Sequence, residues 1–229
     1  MPARELRYFE MEQPIRINKY LRDQGIASRR EADKLVEDGL VFINGQLAKN
    51  GMAVGVDDKV EVKGKRKTYQ YLAYYKPRGL ATQDLTGRRS VIGEWKKKGL
   101  YPVGRLDKDS EGLLLLTNDG RLVRELASEN PKYKKEYIVT VKEPLRAGIP
   151  AIFKSGMQTE SLGKLLPAKA DIINKHTLRV ILNEGKHHQI RIMLADLHYT
   201  IVSLKRLRIG KIKLAELKPG ETRPFVPKF

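Results

Sequence analysis

The sequence contains no cysteine, a single tryptophan and no apolar stretch approaching the roughly 18 residues of a membrane-spanning helix. Without cysteine there can be no disulfide, no thiolate metal ligand and no thiol nucleophile. The four histidines leave a zinc site open only in principle. The first twenty residues have no apolar run, so we expect no secretory signal and a cytoplasmic protein.

Negative charge is also in the minority. The 27 Asp and Glu are outnumbered by 45 Lys and Arg, which gives a formal net charge of +18. Such a surplus suits nucleic acid, anionic lipid or acidic protein as a partner, unless it forms only a solvated basic surface. The basic clusters are short and broken by glycine, unlike a membrane-surface helix, and tyrosines lie among several of them. These features favour nucleic acid, bound through salt-dependent phosphate contacts.

The N-terminal part of the chain predicts a small α+β module. With 229 residues, of which 41% are hydrophobic, the chain can form one large domain or two modest ones. Residues 1–13 are polar and aperiodic, and we expect a flexible tail there. Residues 14–64 begin with a helix that stops near Gly25, followed by a second helix with Ser28 as N-cap and Glu31 completing a capping box. Short strands follow, with a hairpin turn at Asn44–Gly45.

The rest of the chain predicts a larger domain built mainly of strands. Residues 65–70 are charged and poor in core residues, which is typical of a linker. Residues 71–229 then contain several strands, among them an apolar one after Gly112, and two short helices. The helices between strands are too few for a regular βαβ series, so the fold class is α+β with a mixed, largely antiparallel sheet.

Two stretches carry most of the candidate chemistry. The first is GRLDKDSEG, residues 104–112, in which charged side chains precede an apolar strand. Its carboxylates are spaced like the start of a calcium loop, but Asn118 occupies the position that requires a bidentate Glu. A charged turn that begins a strand is the simpler interpretation. A carboxylate beside an arginine at the mouth of a core strand is also well placed to be a catalytic group that stays ionised.

The second stretch is NEGKHHQIRIM, residues 183–193. His187 and His188 are adjacent, so on a helix they would diverge by about 100°, and no second histidine follows at ligand spacing. We therefore expect no metal site, and polar or RNA-facing roles for the histidines. Arg191 is either a surface residue or the partner of a buried carboxylate.

Ordered motifs along the chain resemble those of ribosomal RNA pseudouridine synthases, in the branch with an N-terminal RNA-binding module of the kind found in a small-subunit ribosomal protein. The N-terminal helices and hairpin resemble the α-L RNA-binding motif of that module. The resemblance continues in YYKPRGLATQ, YPVGRLDKDSEGLLLLTNDG, KEYIVTV and NEGKHHQIRIML. It covers most of the chain and implies a pseudouridine synthase catalytic domain over residues 71–229.

The resemblance implies specific roles at the catalytic site. Asp107 would be the catalytic aspartate, Arg191 would pair with it and keep it ionised and oriented, and Tyr137 would stack on the target uracil. Arg105 would help to extrude the target base, and Leu204, with Val202 as the alternative, would form an apolar wall. The chain departs from the family at Ile192, where a second arginine is common.

Further contacts to RNA are expected in both parts of the chain. The residues expected to make them are Lys76, Arg29, Arg30, Lys34, His188 and Gln189. The implied partner is ribosomal RNA, alone or within an assembling subunit, and overall resemblance favours the large subunit. We expect neither a metal nor a cofactor, and a monomeric protein.

The implied reaction converts uridine to its C-linked isomer by base flipping and by cleavage and re-formation of the glycosidic bond. Asp107 would act as a nucleophile or as a base at the sugar. An alternative is a non-catalytic ribosome-associated RNA-binding protein, which residues 1–64 alone would support. A metal-dependent RNA nuclease is less favoured, because the Lys and Arg beside Asp107, Asp109 and Glu111 oppose a magnesium site.

Overall fold

The computed structural model describes residues 13–64, 68–84, 86, 89–127 and 133–227. Almost all of the predicted tail, residues 1–12, and three positions of the predicted linker, residues 65–67, lie outside this part. The chain forms two compact units. The first contains the described residues up to Tyr69 together with Asp119–Arg121, and the second contains Gln70–Asn118 and the chain from Leu122 onward. No helix in the described part is long and apolar enough to cross a membrane.

The first unit packs two helices and short strands around one apolar cluster. Ser28 and Glu31 form the predicted capping box, in which the Ser28 N–H donates to Glu31 Oε2 over 2.9 Å and the Glu31 N–H donates to Ser28 Oγ over 3.4 Å. Asn44 and Gly45 have positive φ angles of 52° and 78° and close the predicted hairpin. The elements of this unit are β1 (Ile15–Arg16), α1 (Ile17–Asp23), α2 (Arg29–Glu37), β2 (Val41–Ile43), β3 (Gln46–Leu47), β4 (Ala53–Val54) and β5 (Val60–Val62).

The second unit is organised by one large mixed sheet. Its described strands are β6 (Tyr71–Lys76), β7 (Tyr101–Val103), β8 (Glu111–Thr117), β9 (Lys135–Val141), β12 (Lys169–Asn174), β13 (Thr177–Leu182), β14 (Ile201–Ile209), β15 (Ile212–Lys213) and β16 (Thr222–Pro224). They run in the order β12-β13-β9-β14-β8-β6-β16, with β15 added on β14 and β7 on β8. A separate short hairpin contains β10 (Gln158–Thr159) and β11 (Gly163–Lys164). The predicted α+β class with a largely antiparallel sheet is confirmed.

Four helices complete the secondary structure of the described chain. They are α3 (Val91–Trp95), which continues into a 3₁₀ turn over Lys96–Lys98, α4 (Gly120–Ala127), α5 (Ile149–Ser155) and α6 (Gln189–Asp196). The predicted apolar strand is β8, whose leucines are all fully buried. Leu113 and Leu115 pack into one cluster, whereas Leu114 and Leu116 pack into another. Alternation along β8 therefore supplies both faces of the sheet with core residues.

The parallel pairing of β14 with β8 depends on Gly112. This residue has φ = 106°, and it lies opposite Arg206 in the pairing of the two strands. A Cβ atom on Gly112 would lie 2.3 Å from the backbone oxygen of Arg206 and 2.8 Å from its backbone nitrogen. Only glycine permits this approach without moving the β14 backbone.

Lys76, at the end of β6, is fully buried. Its Nζ donates to the backbone oxygens of Leu80 at 2.6 Å, Pro77 at 3.0 Å and Lys108 at 3.5 Å. The turn after Pro77 folds these carbonyls around the ammonium group. The side chain bonds to its own fold, so the structure does not support the predicted contact of Lys76 with RNA. Burial lowers its pKa to about 8, although the negative charge of Asp107 acts in the opposite direction.

The lowered pKa of Lys76 makes the free energy of unfolding depend on pH above neutrality. In the unfolded chain the ammonium group keeps its proton up to about pH 10.5, whereas in the folded chain it loses it near pH 8. Between these values the unfolded state binds more protons, so the free energy of unfolding rises with pH. We expect wild type to gain about 3 kcal/mol relative to Lys76→Met across this window. Urea unfolding of both proteins from pH 7.5 to 10.5 measures the difference. The same dependence of the unfolding free energy on pH in both proteins would contradict a lowered pKa of the buried ammonium group.

The close approach at Gly112 is tested by Gly112→Ala. We expect a loss of at least about 2 kcal/mol in the free energy of unfolding, because the added methyl group must push the β14 backbone away. Gly79→Ala is the matched control, since Gly79 also has a positive φ, of 86°, but no atom lies within 4 Å of the place that its methyl group would occupy. It isolates the cost of the backbone angle. Equal losses in the two variants would show that the contact with Arg206 is unimportant.

Candidate active site

The loop between β7 and β8 presents Asp107 at the edge of a cavity. The Ser110 N–H donates to the Asp107 backbone oxygen over 3.1 Å and closes the turn. On the other side of Asp107, Thr82 fixes Leu106: the Thr82 hydroxyl donates to the Leu106 oxygen at 2.6 Å and accepts from its N–H at 3.0 Å. The backbone on both sides of the carboxylate is thereby held in place.

Arg191 reaches Asp107 from α6. Its Nε donates to Asp107 Oδ2 over 3.2 Å, and its Nη2 donates to Ser110 Oγ over 2.8 Å. The Ser110 hydroxyl in turn donates to Asp107 Oδ2 over 3.5 Å. Arginine, serine and aspartate thus form a closed arrangement that orients the carboxylate and neutralises its charge. Ser110, which is fully buried, was missed from the sequence, where only its place in the DKDS turn could have suggested it.

His188 contacts the other oxygen of the same carboxylate. Its Nε2 lies 3.3 Å from Asp107 Oδ1, and its ring stacks on that of His187 with the centroids 3.8 Å apart. It is the N-cap of α6 with left-handed backbone angles, φ = 54° and ψ = 19°. This rare conformation for a residue other than glycine turns the imidazole toward Asp107.

The same three residues form a potential metal-ligand cluster. Asp107, His187 and His188 each offer a ligand atom within 4.8 Å of the others. The sequence argument for divergent histidines was wrong, because His187 precedes α6 and only the helix would impose the 100° separation. The donor set nevertheless suits a cation poorly, since the carboxylate is already bonded to Arg191 and the cavity lining has five Lys or Arg against two carboxylates.

Tyr137 and Leu204 line the cavity from the sheet. The cavity has a volume of about 530 Å³. Tyr137 lies opposite Arg206 in the pairing of β9 with β14, and Leu204 lies two residues earlier on β14, so their side chains share one face of the sheet. Leu204 is buried in the wall, whereas Val202, the alternative, is exposed and does not line the cavity. Arg105 is exposed and lines the cavity beside Asp107.

Gln189 has a different place from the one expected. It is buried, its Nε2 donates to Glu184 Oε1 over 2.8 Å, and its Oε1 accepts from the Lys186 N–H over 3.1 Å. Glu184 Oε1 also accepts from the Leu166 N–H over 2.9 Å. The predicted contact with RNA is not supported, because both ends of the amide order the loop that precedes α6.

The basic residues predicted to contact RNA in the first unit are at the surface. Arg29, Arg30 and Lys34 are exposed on α2. A pocket of about 160 Å³ is lined by Arg29 with Arg16, Asn18 and Lys19, so three cations meet there. Such a concentration of positive charge suits a phosphate group. Contact of these residues with RNA remains a prediction.

Comparisons with known proteins identify families for both parts of the chain. Residues 15–60 match the S4 domain family, and residues 70–196 match the RNA pseudouridylate synthase family. The chain is 35% identical to the ribosomal large subunit pseudouridine synthase B of Bacillus subtilis, over 93% of this chain and 92% of that protein. It is also 35% identical to the dual-specificity RNA pseudouridine synthase RluF of Escherichia coli, over 91% of this chain and 74% of that protein.

A solved structure shares the fold. The crystal structure of a pseudouridylate synthase superposes with a TM-score of 0.68 and 27% sequence identity, over 93% of this chain and 96% of the other. The family match spans more than half of the chain and includes Asp107, Tyr137 and Arg191. The resemblance predicted from the motifs is therefore confirmed, and the chain belongs to the RNA pseudouridylate synthase family.

Proposed function

We propose that this protein isomerises uridine to pseudouridine in ribosomal RNA, with the large-subunit RNA as substrate and the cytoplasm as its site of action. The single observation that carries the proposal is the pairing of Asp107 with Arg191 at the edge of a cavity lined by Tyr137. The choice of ribosomal RNA rests on the relatives named above. A protein that only binds RNA would have no need for these three side chains to converge.

The reaction exchanges one bond of the sugar for another. The bond from C1′ to N1 breaks with its electron pair passing to the uracil ring, the base turns, and C5 bonds to C1′. C5 then loses its proton, and N1 gains one, so the product is an isomer of the substrate. This chemistry requires a group acting at the sugar and a pocket that retains the detached base.

Asp107 is the group that acts at the sugar, as a nucleophile or as a base. Either role requires a carboxylate in its charged form, and Arg191 and Ser110 both donate hydrogen bonds to Asp107 Oδ2. Because both Asp107 oxygens are contacted, the carboxylate is fixed relative to the cavity before the substrate arrives. Preorganisation of this kind reduces the entropic cost of reaching the reactive geometry.

The cavity supplies the place for the extruded base. Flipping a stacked nucleotide costs a few kcal/mol, and stacking on an aromatic ring returns about 1–3 kcal/mol per base. Tyr137 offers that ring, with Leu204 as an apolar wall on the same face of the sheet. Arg105, exposed beside Asp107, is positioned to fill the space that the base leaves in the RNA.

The role of Asp107 is tested with Asp107→Asn. We expect activity to fall by about 10⁴-fold or more, because the amide has the shape of the carboxylate but neither its charge nor its nucleophilicity. The assay measures tritium release from large-subunit ribosomal RNA that lacks pseudouridine and is labelled at uracil C5. RNA affinity should stay within a few fold of wild type.

Asp109→Asn is the matched control, since Asp109 is an exposed carboxylate in the same loop. It should keep nearly full activity. Wild-type-like activity of Asp107→Asn would overturn the assignment of the site. No release by wild type from this RNA or from assembling subunits, despite tight binding, would favour the non-catalytic RNA-binding alternative.

The contribution of α2 to RNA binding is tested by the salt dependence of affinity. We expect the triple variant Arg29→Gln, Arg30→Gln and Lys34→Gln to bind ribosomal RNA more weakly, with the slope of log K against log[salt] reduced by about 2–3, if each cation meets a phosphate. A control variant replaces the exposed Lys142, Lys154 and Lys175 by Gln, with the same change of net charge. An equal reduction of the slope in both would show that only overall charge matters.

A further inference from the structure

Arg206 is a buried cation in the wall of the cavity. It is only 5% exposed, and it lies on β14 directly opposite Tyr137 and two residues after Leu204. All three side chains line the cavity from one face of the sheet. Sequence alone does not separate Arg206 from its neighbours Lys205 and Arg208, because the three cations follow one another closely along the chain.

Two nitrogens of the guanidinium have partners and the third has none. Nε donates to the Leu113 backbone oxygen over 2.7 Å, and Nη1 donates to the Arg105 backbone oxygen over 3.3 Å. Nη2 is buried without a hydrogen-bond partner, and no carboxylate among the described residues lies within 4.0 Å of this guanidinium. A buried charged donor left in this way destabilises the fold. An acceptor supplied by a ligand would remove that destabilisation.

The target base offers such acceptors. Uracil has two carbonyl oxygens, O2 and O4, and a base stacked on Tyr137 lies beside the residue opposite Tyr137 on the next strand. A backbone phosphate fits less well, because it must remain continuous with the RNA chain outside the cavity. Exposed cations at the cavity, Arg105 and Lys186, are better placed to meet phosphate.

The charge of Arg206 also matches the electronic demand of the reaction. When the glycosidic bond breaks, its electron pair enters the uracil ring, and the negative charge spreads onto the carbonyl oxygens. A fixed donor in a water-poor cavity stabilises charge that develops in this way, with no reorganisation at the moment of reaction. The two backbone carbonyls fix the guanidinium in advance.

We propose that Nη2 of Arg206 donates a hydrogen bond to a carbonyl oxygen of the target uracil and stabilises the negative charge that the base takes up as the bond from C1′ to N1 breaks. This inference rests on the proposed isomerase activity and adds a substrate-binding residue to it. Nη2 is covered in this structure, so insertion of the base must shift the cavity wall slightly for the bond to form.

The first experiment compares Arg206→Gln and Arg206→Lys with Arg208→Gln. Arg208 is the next arginine on β14, is paired with Glu136 over 2.6 Å and does not line the cavity. We expect kcat to fall about 100-fold in Arg206→Gln with little change in KM, about 10-fold in Arg206→Lys, which keeps the charge, and only a few fold in Arg208→Gln. Thermal unfolding and RNA affinity verify that each variant is folded.

A second experiment separates contact with the base from a structural role. Large-subunit ribosomal RNA is transcribed with 2-thiouridine or with 4-thiouridine, and the C-linked product is measured by nucleoside chromatography. Sulfur accepts hydrogen bonds poorly. Sulfur in place of the contacted oxygen should therefore slow wild type about 10-fold more than it slows Arg206→Lys. Effects of sulfur on the RNA itself are the same for both enzymes and cancel in the ratio.

The outcomes separate this inference from the function on which it rests. A larger thio effect in wild type than in Arg206→Lys at one position supports the contact and identifies the oxygen. If wild type and Arg206→Lys show the same thio effect at each of the two positions, and wild type is active on ordinary RNA, the role of Arg206 is overturned while the isomerase stays intact. No product from ordinary RNA with wild type would overturn the proposed function instead.

Discussion

The contact between Arg191 and Asp107 is the constraint on which the rest of the catalytic unit depends. The two residues are 84 positions apart, and their side chains meet because α6 packs against β9 and β13 of the sheet that the loop before β8 also joins. The parallel pairing of β14 with β8 brings Arg206 next to Gly112, five residues after Asp107, and it requires a glycine there. The lack of a side chain at Gly112 is therefore a condition for the strand pairing that follows the loop carrying Asp107.

The unit also tolerates buried positive charge close to that carboxylate. Lys76 satisfies its ammonium group with backbone carbonyls, and Arg206 satisfies two of its three nitrogens in the same way. Carbonyl dipoles stabilise a buried cation without neutralising it, so the wall of the cavity keeps a positive field. A salt bridge would have cancelled that field. A positive field attracts the anionic RNA and stabilises electron density on the base. Partnering the buried cations with carbonyls instead of carboxylates is consistent with both tasks.

Much of the fold was predictable from local patterns. The capping box at Ser28, the hairpin at Asn44–Gly45 and the apolar strand β8 were all found from short-range chemistry. β14, the strand that connects β9 to β8, was not predicted as a strand, because charged residues interrupt its apolar ones. Its cations differ only in tertiary surroundings: Arg206 is buried in the cavity wall, whereas Arg208 pairs with Glu136. No window of sequence distinguishes them.

The site shows the same division between local and long-range information. Asp107, Tyr137 and Arg191 were identified through motifs shared with a family, and the structure brings the first and last into contact. Ser110 and Thr82 hold Asp107 in place. Ser110 bonds to the side chains of Asp107 and Arg191, and Thr82 bonds to the backbone of Leu106. Such contacts leave no pattern in a single sequence. The expected RNA contacts of Lys76 and Gln189 lack support for one reason: each side chain is buried and has its hydrogen-bonding groups engaged by the fold. In a chain with a net charge of +18, charge alone is weak grounds for assigning a contact, and burial decides which cations are available to the RNA.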